Sequence, residues 1–142
     1  MSTDAIAPEE LWAALNELLE AERAGARVAR ETAAQIPLDS DLHGLVQDIQ
    51  RDEVHWCGLL LQLIRELAGT PSDQTGAFHG KAMAIADLGE RLVFLNRGQA
   101  WVVRKLQALI PRVSEPHIQA QLQAMLDAHV GNIDRVERRL QA

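Results

Sequence analysis

Apolar residues recur at helical spacing along almost the whole chain, in four stretches of similar length separated by proline and glycine. Each stretch carries one apolar stripe, and a stripe of that kind must be buried against another. Pro8 suits the first turn of a helix, where its missing N–H costs nothing. The first periodic segment covers about 9–35 and stops before Pro37. The turn Pro37-Leu38-Asp39-Ser40 offers Asp39 or Ser40 as an N-cap for a second segment over 41–68. Gly69-Thr70-Pro71 is a helix stop, and residues 69–80 have loop composition. A third segment over 82–110 ends at Pro111, and Ser114-Glu115-Pro116 opens a fourth over 115–140. The expectation is an all-α, antiparallel four-helix bundle forming one domain over 1–142. The connection over 69–80, fully extended, reaches about 40 Å, close to the length of such helices. A crossover connection and an up-down-up-down hairpin are both compatible with it.

Composition excludes several function classes. The net charge of −6 argues against a nucleic-acid binder that relies on net charge. A lone cysteine, Cys57, excludes an internal disulfide and a cysteine-based zinc site. The longest apolar run, about Cys57 to Ile64, is broken by Gln62 and falls far short of the roughly 20 residues of a membrane span. Met1 to Glu10 is acidic and polar, unlike a signal peptide. These features predict a soluble cytoplasmic protein with no membrane or nucleic-acid partner.

Each stripe is interrupted by polar residues near its midpoint. The first reads Leu11, Leu15, Leu18, Glu22, Gly25, Ala29. The second reads Leu42, Leu45, Ile49, Asp52, Trp56, Leu60, Leu63, Leu67, with Glu53 on its edge. The third carries Gln99, with Asn96 on its edge, and the fourth carries His129, with Asn132 on its edge. Midpoints stay level whichever way a helix runs. Packing should therefore gather Glu22, Asp52 or Glu53, Gln99 or Asn96, and His129 at one height. Buried carboxylates together need a proton, a cation or an imidazole beside them. Asp52 and His55 lie one turn apart, a spacing that lets both reach one metal ion.

This arrangement resembles the ferritin-like superfamily, including bacterioferritin and rubrerythrin. The segment Leu15-Asn16-Glu17-Leu18-Leu19-Glu20-Ala21-Glu22 resembles the bacterioferritin first helix, with Glu22 at the ligand position. Asp52-Glu53-Val54-His55 stands at the Glu-x-x-His motif of the second helix, with Asp52 in place of Glu. In the fourth, His129-Val130-Gly131-Asn132 falls on the motif, with His129 in place of Glu and Asn132 in place of His. Asn96 falls on the third-helix Glu position. The phrase Asn96-Arg97-Gly98-Gln99-Ala100-Trp101-Val102 is similar to one in a group of small bacterial ferritin-like proteins. The resemblance implies the ferritin-like bundle and a reduced metal site. Glu22, Asp52, His55 and His129 would hold one ion of iron or manganese, with redox or stress-related chemistry to follow. Zinc also suits such oxygen and nitrogen donors. Glu53, Asn96, Arg97, Gln99 and Asn132 would surround it.

A second reading stands beside the metal site. The polar layer is then a metal-free hydrogen-bonded network, with Arg97 or Arg23 neutralising the carboxylates, in a protein of structural or interaction role. Cys57 reads as an inert buried thiol, and Trp12, Trp56 and Trp101 as packing residues. Leu59, Leu60, Leu61, Leu63 and Ile64 cover more than one stripe, and Phe94, Arg97 and Trp101 start another. This extra apolar surface predicts a two-fold homodimer along the second and third long helices, or the first and second.

Overall fold

The computed structural model describes residues 5–141. The first four residues and the last, which the sequence reading places in the same domain and uses in judging the N-terminus, lie outside them. Among the described residues five α-helices form and no strand does. They are α1 (Pro8–Ala33), α2 (Asp41–Glu66), α3 (Phe78–Met83), α4 (Leu88–Leu109) and α5 (Pro116–Gln141), with a 3-10 turn at Ile110–Arg112. Ser40 is the α2 N-cap, its hydroxyl accepting from the Leu42 N–H at 3.2 Å.

The expected third helix over 82–110 is shorter at its start. Asp87 ends the lead-in, its carboxylate accepting from the Glu90 N–H at 2.8 Å. Ahead of it, part of the expected loop coils into α3. Phe78 explains that turn of helix, because its ring stacks on Phe94 of α4 with centroids 5.0 Å apart. At the end of α2, Ala68 takes a left-handed φ of 61°. The Gly69 N–H then reaches Ile64 O at 2.8 Å and the Ala68 N–H reaches Arg65 O at 3.0 Å, the paired bonds of a Schellman ending.

The four long helices pack side by side, and polar pairs fix their directions. Lys105 of α4 meets Glu17 of α1 at 3.0 Å, and Arg112 meets Glu10 at 2.6 Å, so α1 and α4 run antiparallel. Arg135 of α5 meets Asp48 of α2 at 3.0 Å, and Asn132 meets Asp52 at 2.9 Å, so α2 and α5 run antiparallel. The Trp12 indole N–H donates to Leu67 O at 3.0 Å, placing the end of α2 beside the start of α1. Arg91 at the start of α4 donates to Thr32 and Gln35 at the far end of α1. The connection between α2 and α4 therefore crosses the length of the molecule, which resolves the topology left open by its length.

That crossover strap is tied to α1 step by step. Asn16 donates to Thr70 O at 3.1 Å and accepts from the Ser72 N–H at 2.7 Å. The Arg23 guanidinium donates to Ser72 O and Gln74 O, both at 2.9 Å. Higher up, His79 pairs with Glu31. The apolar core divides into two clusters. One gathers Leu15, Leu18, Leu60, Leu106 and Met125, and the other gathers Val28, Val46, Ile49, Leu95 and Val136. The polar residues sit between them.

Candidate functional site

Glu22, Glu53, Asn96, Gln99, His129 and Asn132 are all buried at mid-height, one or two from each long helix. The sequence pattern admits either Asp52 or Glu53, and the structure turns Glu53 inward, 2% exposed, while Asp52 is half-buried. Spacings of three and four connect Ile49 to Trp56 through either residue. The sevenfold repeat decides between them: Val46, Glu53 and Leu60 are all buried on one line. His55 lies on the line of Asp48 and Gln62, faces solvent and packs edge-on against Trp56 at 4.6 Å. Asp52 accepts from Asn132 Nδ2 at 2.9 Å. The expected set of Glu22, Asp52, His55 and His129 is therefore not gathered around one point. Among the described residues, no group of three or more His, Cys, Asp or Glu is arranged to hold a metal ion.

What the fold does bring together is a carboxyl pair beside one imidazole. His129 is 1% exposed, and its Nδ1 lies 2.8 Å from Met125 O, which fixes the ring's N–H on that side. Its Nε2 stands 2.7 Å from Glu22 Oε1. The contact lacks the in-line geometry of a hydrogen bond, so it is an electrostatic pairing of two otherwise unpartnered atoms. Burial pushes the Glu22 carboxyl up, and the charge of His129 only partly opposes this. Burial works against a charged His129, but Glu22 and the Met125 carbonyl outweigh it and raise the imidazole above its ordinary value. Together the pair retains a proton further into the alkaline range than isolated groups would.

Glu53 has no such partner. Its Oε2 is buried without a hydrogen bond, and burial, then the charges of Glu22 and Asp52, hold its carboxyl well above the usual range. It packs on the backbone of α1 at Gly25, where an added Cβ would stand 2.5 Å from Oε2. A larger residue at position 25 would have to displace the Glu53 carboxyl. Burial also pushes the half-buried Cys57 thiol up to about 12, which agrees with an inert cysteine.

The amides are ordered by elimination. Asn96 Nδ2 donates to Ile133 O at 3.1 Å, so Asn96 Oδ1 is turned to Gln99 and accepts from its Nε2 at 3.4 Å. Gln99 Oε1 is left buried with no donor. Neither expected arginine neutralises this layer. Arg23 is spent on the strap carbonyls, and Arg97 is exposed. The buried arginine is instead Arg91, which donates to Ile85 O, Thr32 and Gln35 and steadies the top of the strap. Sequence reasoning missed it because a charged residue beside a stripe ordinarily reads as solvated.

Glu22, Glu53 and Gln99 line a cavity of about 540 Å³ between α1 and α4, closed on one side by strap residues Thr75 to Phe78. Its walls are mainly apolar, with Ala21, Phe94, Leu95, Trp101 and Val102. Gly98 lets the strap close down, since a Cβ there would stand 2.8 Å from the Phe78 ring. The second apolar stripe of α4, Phe94 and Trp101, is thus turned to this cavity and strap.

Fold and site define an all-helical protein in which a buried layer of carboxyls, imidazole and amides floors an apolar cavity. The chain belongs to the family described as a domain of unknown function (DUF6306), which matches residues 9–138, from the first helix into the last. No curated protein and no solved structure matches it.

Proposed function

We propose that this protein is a ferritin-like bundle that binds a small ligand at its mid-height acidic layer. The observation that carries the reading is one mainly apolar cavity of about 540 Å³ whose lining includes the buried carboxyl side chains of Glu22 and Glu53 and the amide of Gln99. A mainly apolar pocket with a few convergent polar groups is the usual form of a small-ligand site. The crossover between α2 and α4 and the antiparallel neighbours support the ferritin-like assignment. With Asn96 and Asn132 at two family ligand positions and His55 facing solvent, the donor set does not fit a two-metal centre. The test is a ligand-observed NMR screen of small cationic, neutral and anionic arenes, with Trp101 fluorescence, isolated by Trp12→Phe and Trp56→Phe, as the local reporter. Saturable binding that a bulky Gly98→Leu substitution abolishes supports the reading. A screen in which no compound perturbs Trp101 overturns it.

A single iron or manganese ion is the second reading. It is favoured by the Met125 carbonyl, which holds His129 Nδ1 and leaves Nε2 inward beside Glu22, as in metal-bound imidazoles. Glu22 and His129 would hold the ion, and it would supply Lewis-acid or redox chemistry. Elemental analysis of protein from iron- and manganese-supplemented cells, beside Glu22→Ala, decides this. Stoichiometric metal lost in the variant supports it, and metal absent from both removes it.

A further inference from the structure

The charged residues of the cavity wall divide by depth. Glu22 and Glu53 are buried at its inner end. The charged lining residues that reach solvent are Glu17 and Glu20 of α1 and Arg97 and Arg104 of α4, so these four surround the mouth. Arg97, Trp101 and Arg104 follow at spacings of four and three, which puts both guanidiniums and the indole on one face of α4. Glu17 is already paired, with Lys105 at 3.0 Å. Among the described residues, neither Arg97 nor Arg104 makes an ion pair or a side-chain hydrogen bond, unlike Arg23 and Arg91. Two free guanidiniums against one free carboxylate, Glu20, leave the mouth with an excess positive charge in a chain of net charge −6. Further in, the wall is apolar, through Phe94, Leu95, Trp101 and Val102. Burial keeps the Glu53 carboxyl at the inner end protonated well above the usual carboxylate range, so the depth of the cavity suits an uncharged body.

We infer that the cavity takes a small amphipathic carboxylic acid, its apolar body inside against Phe94, Leu95, Trp101 and Val102 and its carboxylate at the mouth with Arg97 and Arg104. A guanidinium pairs with a carboxylate through two parallel N–H donors, and neither of these has a competing partner in the chain. One negative charge matches the excess at the mouth. A dianion such as a phosphate monoester would exceed it and meet Glu20, and an amine would bring a like charge to the two guanidiniums. The opposite orientation would strip water from a carboxylate beside Glu22 and Glu53, where His129 is engaged with Glu22 and Arg23 with the strap. A cavity near 540 Å³ is in the range that encloses a small organic molecule.

The inference rests on the reading of the cavity as a ligand site, and the experiment separates the two. 4-Phenylbutyrate, 4-phenylbutanol and 4-phenylbutylamine share one apolar body and differ in the head group. Each is titrated into the full chain at neutral pH and followed by calorimetry. The acid is expected to bind about fivefold more tightly than the alcohol, the scale of a solvent-exposed charge pair, and the amine more weakly than either. Arg97→Gln combined with Arg104→Gln should bring the acid down to the affinity of the alcohol and leave the alcohol unchanged. Both side chains are exposed, so the fold is not at stake. Glu20→Gln removes the opposing charge and should tighten the acid by about twofold without changing the alcohol, a gain that a merely structural role would not produce. Equal binding of acid and alcohol, or a preference for the acid that survives the double variant, overturns the carboxylate assignment while leaving a ligand cavity in place. No binding of any of the three compounds overturns the assignment and, with an empty screen, the cavity reading as well.

Discussion

Glu53 shows how one residue sets the pH behaviour of the molecule. Its carboxyl is buried, unpartnered and raised well above its ordinary value, first by burial and then by Glu22 and Asp52. In the unfolded chain the same group loses its proton near pH 4.5, so between that pH and its folded value the unfolded state is favoured progressively. Glu22 and His129, also raised, act in the same direction. Stability conferred by these three protonated groups is therefore present in mild acid and lost as the pH rises through their folded values. Urea denaturation at pH 5 and pH 8 should show Glu53→Gln stabilising the protein by about 1–2 kcal/mol at pH 8 and by much less at pH 5. An equal effect at both would contradict the protonated carboxyl. Ala68 is a second single-residue case. Its φ of 61° places a Cβ against the following carbonyl, a cost of roughly 1–2 kcal/mol that glycine avoids. Ala68→Gly should raise the urea midpoint without changing the slope. The polar layer itself was legible from the stripes, because a carboxylate or histidine at an apolar position stands out. The choice between Asp52 and Glu53 was not, since both satisfy the local three-four spacing and only the longer run through Val46 and Leu60 separates them.

At the scale of elements, the strap is the part whose role depends on a few bonds. Three carbonyls and one N–H of the segment from Thr70 to Gln74 are satisfied by side chains of α1, namely Asn16 and Arg23. Hydrogen bonds from a charged donor contribute about 1.5–3 kcal/mol each. Arg23→Ala should therefore speed amide exchange in the strap by at least tenfold and leave the slow-exchanging centres of α2 and α5 unchanged. Uniform acceleration across the chain would instead mean that Arg23 supports the whole fold. The helix boundaries were legible because caps and prolines mark them: Ser40, Pro116 and the stop after α2 all fall within a few residues of the observed ends. The short helix α3 was not, since six residues carry no full period and its formation depends on Phe78 finding Phe94 across the strap.

At the scale of the whole molecule, the crossover changes which surfaces remain to be covered. The expectation of a two-fold homodimer drew on excess apolar residues on both the second and third long helices. On α4 that excess is already used, because Phe94 stacks on Phe78 and Trp101 lines the cavity. The large apolar residues left exposed are Leu38, Val54, Val93, Val130 and Leu140, and of these Val54 and Val130 lie on the adjoining helices α2 and α5. Val54 is 55% exposed, Leu61 is half-buried two turns on, and the Gly58 position between them opens onto empty space. Val130 of α5 is 48% exposed and level with Val54, as the neighbouring Asp52–Asn132 bond requires. A two-fold axis near Val54 would bring the same patch on two copies together, the self-complementary contact that closed dimers use. The dimer we expect is therefore centred on α2 rather than α4. Light scattering should report twice the 15.7 kDa chain mass, and Val54→Glu should shift it to the chain mass without lowering the helix content. A single-chain mass for the unmodified protein would refute the dimer. A dimer that survives Val54→Glu would place its interface on another face.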